Sequence, residues 1–113
     1  MSRYLIAQLD ELPSQPCPCG TTRRAFADAL GAPASVHQVN ISEDARTHYH
    51  KTMTEIYIVL DGEGEIELDG ARFPVKPMTS IMIKPGCRHR AIGTMRIINV
   101  AIPVFDPKDE WFD

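Results

Sequence analysis

The feature that most constrains this chain is Asp69-Gly70, a dipeptide set between two stretches, residues 64–68 and 71–75, whose side chains alternate between faces. A two-residue link of this kind favours positive φ at both turn positions. Its twist matches that of two antiparallel strands, so it writes a β-hairpin into the sequence. The rest of the chain repeats the theme. Residues 35–42 carry Val39 and Ile41 on one face, residues 46–50 alternate, and residues 55–60 read as a buried run. Residues 79–84 lead into Pro85-Gly86, and residues 88–92 and 95–102 follow before Pro103. Seventeen Ile and Val stand against six Leu, while nine Pro and seven Gly supply the turns. Branching at Cβ stiffens χ1 and suits a pleated surface better than a helix. The pattern predicts an all-β fold of short strands, as a sandwich or a barrel.

Size and charge narrow what such a fold can do. With 113 residues the chain has room for one compact domain, residues 1–113, around one core. Twelve Lys and Arg against fifteen Asp and Glu leave a net charge of −3, which offers no basic footprint for nucleic acid and no attraction to an acidic membrane surface. The apolar run at residues 56–60 falls far short of the ~18–20 residues of a membrane span. Residues 4–7 are too few for a secretory apolar segment before Asp10 and Glu11 intervene. Three cysteines without an export signal argue against a disulfide framework. The expected compartment is the cytoplasm.

The two ends are less regular. Residues 4–9 read as a short strand closed by Pro13, and residues 14–20, with prolines on both sides of Cys17, read as a loop. Residues 21–31 suit either a short helix capped by Thr22 or an edge strand. Residues 104–113 carry Phe105, Trp111 and Phe112 among acidic residues, as a strap laid over the body.

The chemistry concentrates in the middle. His48 and His50 stand two apart, so on an extended chain both imidazoles point to one face. Glu55 follows after four residues, and Pro85-Gly86 delivers a third imidazole, His89, at the start of a strand. Three neutral imidazoles and a carboxylate form a nitrogen-rich site for one divalent first-row ion (Fe, Mn, Zn, Ni, Co or Cu), with positions left open for water or substrate.

At these residues the sequence resembles the cupin superfamily. Its first motif runs glycine, five residues, His-x-His, three or four residues, Glu, six residues, Gly. Here His48, His50, Glu55 and Gly62 fit that spacing, with Ser42 at the place of the leading glycine. In the second motif Gly86 and His89 fit, while Met78, Lys84 and Gly93 stand where a glycine, a proline and an asparagine are usual. The resemblance covers about residues 36–103. It implies a double-stranded β-helix, or jelly-roll, barrel with a metal held by His48, His50, Glu55 and His89. It also favours a strand within residues 21–30.

Strand parity nominates neighbours of this site. Arg46 shares the face of His48 and His50, and suits either a substrate clamp or a rim pair with Glu43 or Asp44. Tyr57 shares the face of Glu55, as a ligand-binding phenol or a core tyrosine, and Asn99 is a further inward candidate. Cys17 and Cys19 read as thiols of a tight loop rather than a second metal site, and Cys87 lies in a turn. Arg23-Arg24 reads as a surface pair and His37 as a packed or surface histidine. No general base is evident beside the site. That favours dioxygenase-like oxygen chemistry on a small polar or aromatic molecule over an isomerase or epimerase. A non-catalytic carbohydrate- or acid-binding sensor is the other alternative. Ile56, Ile58 and Leu60, opposite the Glu55 face, need a cover, either a second subunit in a homodimer or the strap.

Overall fold

In the computed structural model, which describes residues 3–113, the chain forms a seven-stranded antiparallel sheet. The strands are β1 (Gln15–Cys17), β2 (Gly20–Ala25), β3 (Ser35–Ile41), β4 (Thr54–Leu68), β5 (Ala71–Val75), β6 (Ser80–Ile83) and β7 (His89–Ile102). Their order is β1-β2-β3-β7-β4-β5, with β6 beside β4. The sheet curls into a barrel, and the all-β expectation holds. Inward positions alternate along the strands, and a register shift between Val59 and Asp61 resets that alternation within β4, so Val39 and Ile41 of β3, Val59 and Ile66 of β4, Val75 of β5 and Met95 and Ile97 of β7 meet in one core. Burying a side chain of this size contributes roughly 1.5–3 kcal/mol, which makes this cluster the main support of the fold.

Asp69 (φ 48) and Gly70 (φ 86) make the expected hairpin turn between β4 and β5. Two pairs of expected strands prove to be continuous. Residues 55–60 and 64–68 both lie in β4, bent by a register shift between Val59 and Asp61, and the stretches expected at 88–92 and 95–102 merge in β7, which starts at His89. Glycines let these strands bend without ending. Gly62 has φ +86, and a Cβ there would lie 2.5 Å from the Thr94 carbonyl oxygen and 2.7 Å from Met95 Cα. Gly62→Ala should therefore cost about 2–3 kcal/mol, read as a lowered denaturant midpoint; a change under about 0.5 kcal/mol would contradict this account of the bend.

The ends differ from expectation in three places. Residues 4–8 form no strand: Tyr4, Leu5 and Ile6 are exposed, and the segment reaches a short 3-10 turn at Leu9–Glu11. Arg23 ties it to the barrel through the carbonyls of Asp10 (2.6 Å) and Leu12 (2.8 Å), so a side chain replaces a ladder. The loop expected over residues 14–20 contains β1, a short edge strand on which Pro16 lacks an N–H at no cost to an inner ladder. Residues 46–50 form isolated bridges rather than a strand. His48 pairs with His89 and Tyr49 pairs with Trp111, because two different partners each complete one rung. The choice left open over residues 21–31 falls to β2, which ends at Ala25, followed by a turn at Phe26 (φ 67).

On the outside, Ile56 and Ile58 are half-buried, while Leu60 and, on the neighbouring strand, Met82 are exposed. The strap makes its hydrogen bonds with Ser35, Arg46, Tyr49, His50, residues 51–53 and Arg88, and so acts on the site end of the barrel rather than on this stripe. Among the described residues no helix is long and apolar enough to cross a membrane.

Candidate metal centre

The four residues nominated by spacing come together. One ligand atom from each of His48, His50, Glu55 and His89 lies within 4.8 Å of the other three. β4 delivers Glu55 and β7 delivers His89, while the bridged segment ahead of β4 brings His48 and His50 across the opening. All but His48 are buried, and His48 is half-buried.

The hydrogen bonds around the imidazoles show what the cluster is built for. Each Nδ1 faces a backbone carbonyl: His48 that of Arg46 (3.1 Å), His50 that of Asp109 (2.5 Å) and His89 that of Cys87 (2.9 Å). Carbonyls only accept, so each Nδ1 carries the proton when the ring is neutral, and each Nε2 carries a lone pair. His50 Nε2 stands 2.8 Å and His89 Nε2 3.1 Å from the same Glu55 Oε1. Lone pairs of two imidazoles and a carboxylate that converge in a buried place need a cation between them, either a proton or a metal ion. The donor set fits a divalent ion, and the carbonyl-fixed tautomers supply the outer support such sites use. Glu55 Oε2 is occupied separately by Asn99 Nδ2 at 2.6 Å, which leaves Oε1 as the oxygen aimed at the centre.

The electrostatics agree. Burial pushes the Glu55 carboxyl up, but its bonds with His50 and His89 outweigh this and hold it well below the usual carboxylate range. Burial likewise opposes charge on His50, yet its bond to Glu55 leaves the imidazole raised above its ordinary value. His48 is lowered by burial and by the neighbouring His89. Protons that stand in for a metal must leave when it binds, so acid should compete with the ion.

The centre opens into a cavity of about 400 Å³. Arg46, exposed at its mouth, does not pair with Glu43 or Asp44. Its guanidinium lies 4.4 Å over the Phe112 ring, and Nη2 donates to the Asp113 carbonyl at 3.3 Å. Tyr57 lines the wall beside His89, and burial pushes its phenol well above the ordinary value, so it stays protonated. His37 is a packed histidine: it is buried, its Nε2 meets Ser35 Oγ at 2.8 Å, and burial, with Arg24 nearby, lowers it to about 4. Cys17 and Cys19 are free thiols 3.3 Å apart in the cavity wall, and Cys87 lies in the turn before His89.

Three functional positions escape a reading of the sequence. Asp109, in the strap, accepts from the backbone N–H groups of Lys51 (2.8 Å), Thr52 (3.0 Å) and Met53 (2.8 Å), and so fixes the turn between His50 and Glu55. Glu110 places a carboxylate oxygen 3.8 Å from His48 Nε2 and lines the cavity. Arg24, on β2, turns into the cavity. Strand parity with Thr22 could have signalled Arg24; nothing in the local sequence signals the two acids.

With this geometry in view, comparison with known proteins is informative. The family model of the cupin domain matches residues 35–100, and the chain belongs to the cupin family. A crystal structure of a protein from Planctomyces limnophilus is 43% identical, with a TM-score of 0.93 over 98% of each chain. The Streptomyces nucleoside dehydratase Pac13, solved with uridine, has a TM-score of 0.84 at 19% identity over 98% of this chain and 90% of its own, a likeness of fold. An uncharacterized protein of Methanocaldococcus jannaschii is 32% identical over 75 residues, 63% of this chain; the match spans 60% of that relative's length.

Proposed function

We propose that this cupin is a metal-dependent enzyme that moves a proton on a small molecule held against the ion by the cavity. The observation that carries the reading is Glu110. The sequence alone nominates no general base beside the centre, and here the half-buried Glu110 carboxylate stands 3.8 Å from His48 Nε2. A divalent ion held by His48, His50, Glu55 and His89 would supply Lewis-acid chemistry toward an oxygen of the bound molecule. The chain's own residues do the rest. Glu110 takes or returns the proton at its carboxylate, Tyr57 offers a phenolic O–H from the wall, and Phe112 of the strap lines the cavity beside them. The fold is shared with a nucleoside dehydratase, and dehydration belongs to the same class of proton-transfer chemistry.

Oxygen chemistry is the second reading, favoured by the three-imidazole donor set and by the apolar wall of Val39, Ile41 and Ile97. One experiment separates them. The metal-loaded protein is incubated in D₂O with a panel of keto acids, sugars, catechols, flavonols and thiols, with and without oxygen. Proton transfer predicts deuterium incorporation or loss of water that is independent of oxygen and falls about 10²–10⁴-fold in Glu110→Gln at unchanged metal content. Oxygen uptake without exchange would replace this reading with the second. Ligand binding with neither signal would make the protein a binding module.

A further inference from the structure

Arg23 and Arg24 are neighbours in sequence and face opposite sides of β2. Arg23 turns outward and spends its guanidinium on the carbonyls of Asp10 and Leu12. Arg24 turns inward and lines the cavity, where its Nε is buried without a hydrogen-bond partner. None of the ion pairs among the described residues includes it. One face of the guanidinium is stacked 4.3 Å over Phe105, which fixes its plane and leaves its N–H edge for hydrogen bonding. Arg46, by contrast, stands at the mouth with Nη2 already donating to the Asp113 carbonyl.

Register places Arg24 relative to the centre. Arg24 pairs with His37, His37 with Asn99, and Asn99 with Tyr57, so the four form one row across the inner wall. Asn99 holds Glu55. Two strand spacings, about 10 Å, therefore separate the backbone of Arg24 from that of the residue that orients Glu55. The neighbour on the row, His37, brings no negative charge, and its Nε2 is engaged by Ser35. Arg24 is half-buried and its Nε has no partner, and a planar fork of donors of this kind suits an oxyanion.

We propose that Arg24 anchors the oxyanion group, a carboxylate or a phosphate, of the small molecule that occupies this cavity, with the body of that molecule lying along Phe105 and Tyr57 toward His48, His50, Glu55 and His89. The proposal rests on the cavity being the substrate site, and it names the substrate class: small molecules with one anionic end and an oxygen function at the other. Arg24 is then a specificity-determining residue.

The test uses benzoate, phenyl phosphate and neutral benzyl alcohol as probes, with binding measured calorimetrically on the metal-loaded and the chelated protein. Variants are Arg24→Met and Arg24→Lys, with metal content and melting recorded for each. The wild type should bind at least one anionic probe more tightly than benzyl alcohol, and the preferred anion identifies carboxylate or phosphate as the recognised group. Arg24→Met should weaken that probe about tenfold to a hundredfold and leave benzyl alcohol unchanged. Arg24→Lys should keep part of the preference, and it carries the test if the Met variant does not fold. A purely structural role through Phe105 would weaken charged and neutral probes alike. That outcome would overturn the proposal, as would equal binding of the anions by wild type and variant, or no anion preference in the wild type. An Arg24-dependent preference in protein that takes up no metal would uphold the anion site while overturning the metal-dependent function.

Discussion

Asp109→Ala should lower the stability of the protein by roughly 3–5 kcal/mol, more than an ordinary surface substitution in a C-terminal segment. The carboxylate is buried, at 8% exposure, and accepts three backbone N–H bonds from Lys51, Thr52 and Met53 and a fourth from Trp111 Nε1 at 3.1 Å. Alanine leaves these donors without an acceptor at the turn that carries the chain from His50 to Glu55. The Asp109 carbonyl also receives His50 Nδ1, so loosening the strap frees that imidazole. Denaturant unfolding checks the magnitude, and a loss below about 1 kcal/mol would contradict it. The pH dependence has a fixed sign. Burial raises the Asp109 carboxyl, but the backbone N–H groups of Lys51, Met53 and Thr52 prevail and hold it below its ordinary value. A group depressed in the folded state stabilises above its unfolded pKa and loses that contribution as pH falls through the folded one. Wild-type stability should therefore fall with acid from about pH 5 downward, and Asp109→Ala should show a shallower acid slope.

The joint replacement of His48 and His50 by alanine should take bound metal from near one ion per chain to background while the barrel stays folded. Both effects follow from where the residues sit. Two of the four converging donors disappear, including the Nε2 that stands 2.8 Å from Glu55 Oε1. The core of Val39, Val59, Ile66 and Ile97 is built from other positions and is untouched. Chelation of the wild type should likewise leave a cooperative melt, unlike that of a domain whose folding energy comes from the ion. Elemental analysis and circular dichroism read the two halves. Metal retained in the double variant would remove the cluster as its site, and a disordered chelated protein would contradict the independence of the core.

The parts of the fold legible in sequence were those governed by neighbours in sequence. Asp69-Gly70 specifies its turn through its own φ preferences, and the two-residue spacing of His48 and His50 places both imidazoles on one side even where the ladder is reduced to single rungs. The same local logic failed at residues 4–9, whose apolar run reads as a strand but pairs with none. It failed again at the strap. Asp109 and Glu110 reach the centre across a separation of about sixty residues, as the bond from His50 shows, and no local pattern records such a contact. Arg24 lies between these cases. Its inward direction follows from alternation along β2, but only once residues 20–25 are known to be a strand. The sequence pattern alone allowed a helix there, which would have placed the same arginine on a different face.

The most direct test of the centre is X-ray absorption at the edge of whichever metal co-purifies with the untagged protein. Convergent Nε2 atoms and Glu55 Oε1 predict a first shell of nitrogen and oxygen at about 2.0–2.2 Å, with outer-shell scattering from three imidazoles. A shell containing sulfur at about 2.3 Å would instead place the ion at Cys17 and Cys19 and would contradict the assignment to His48, His50, Glu55 and His89.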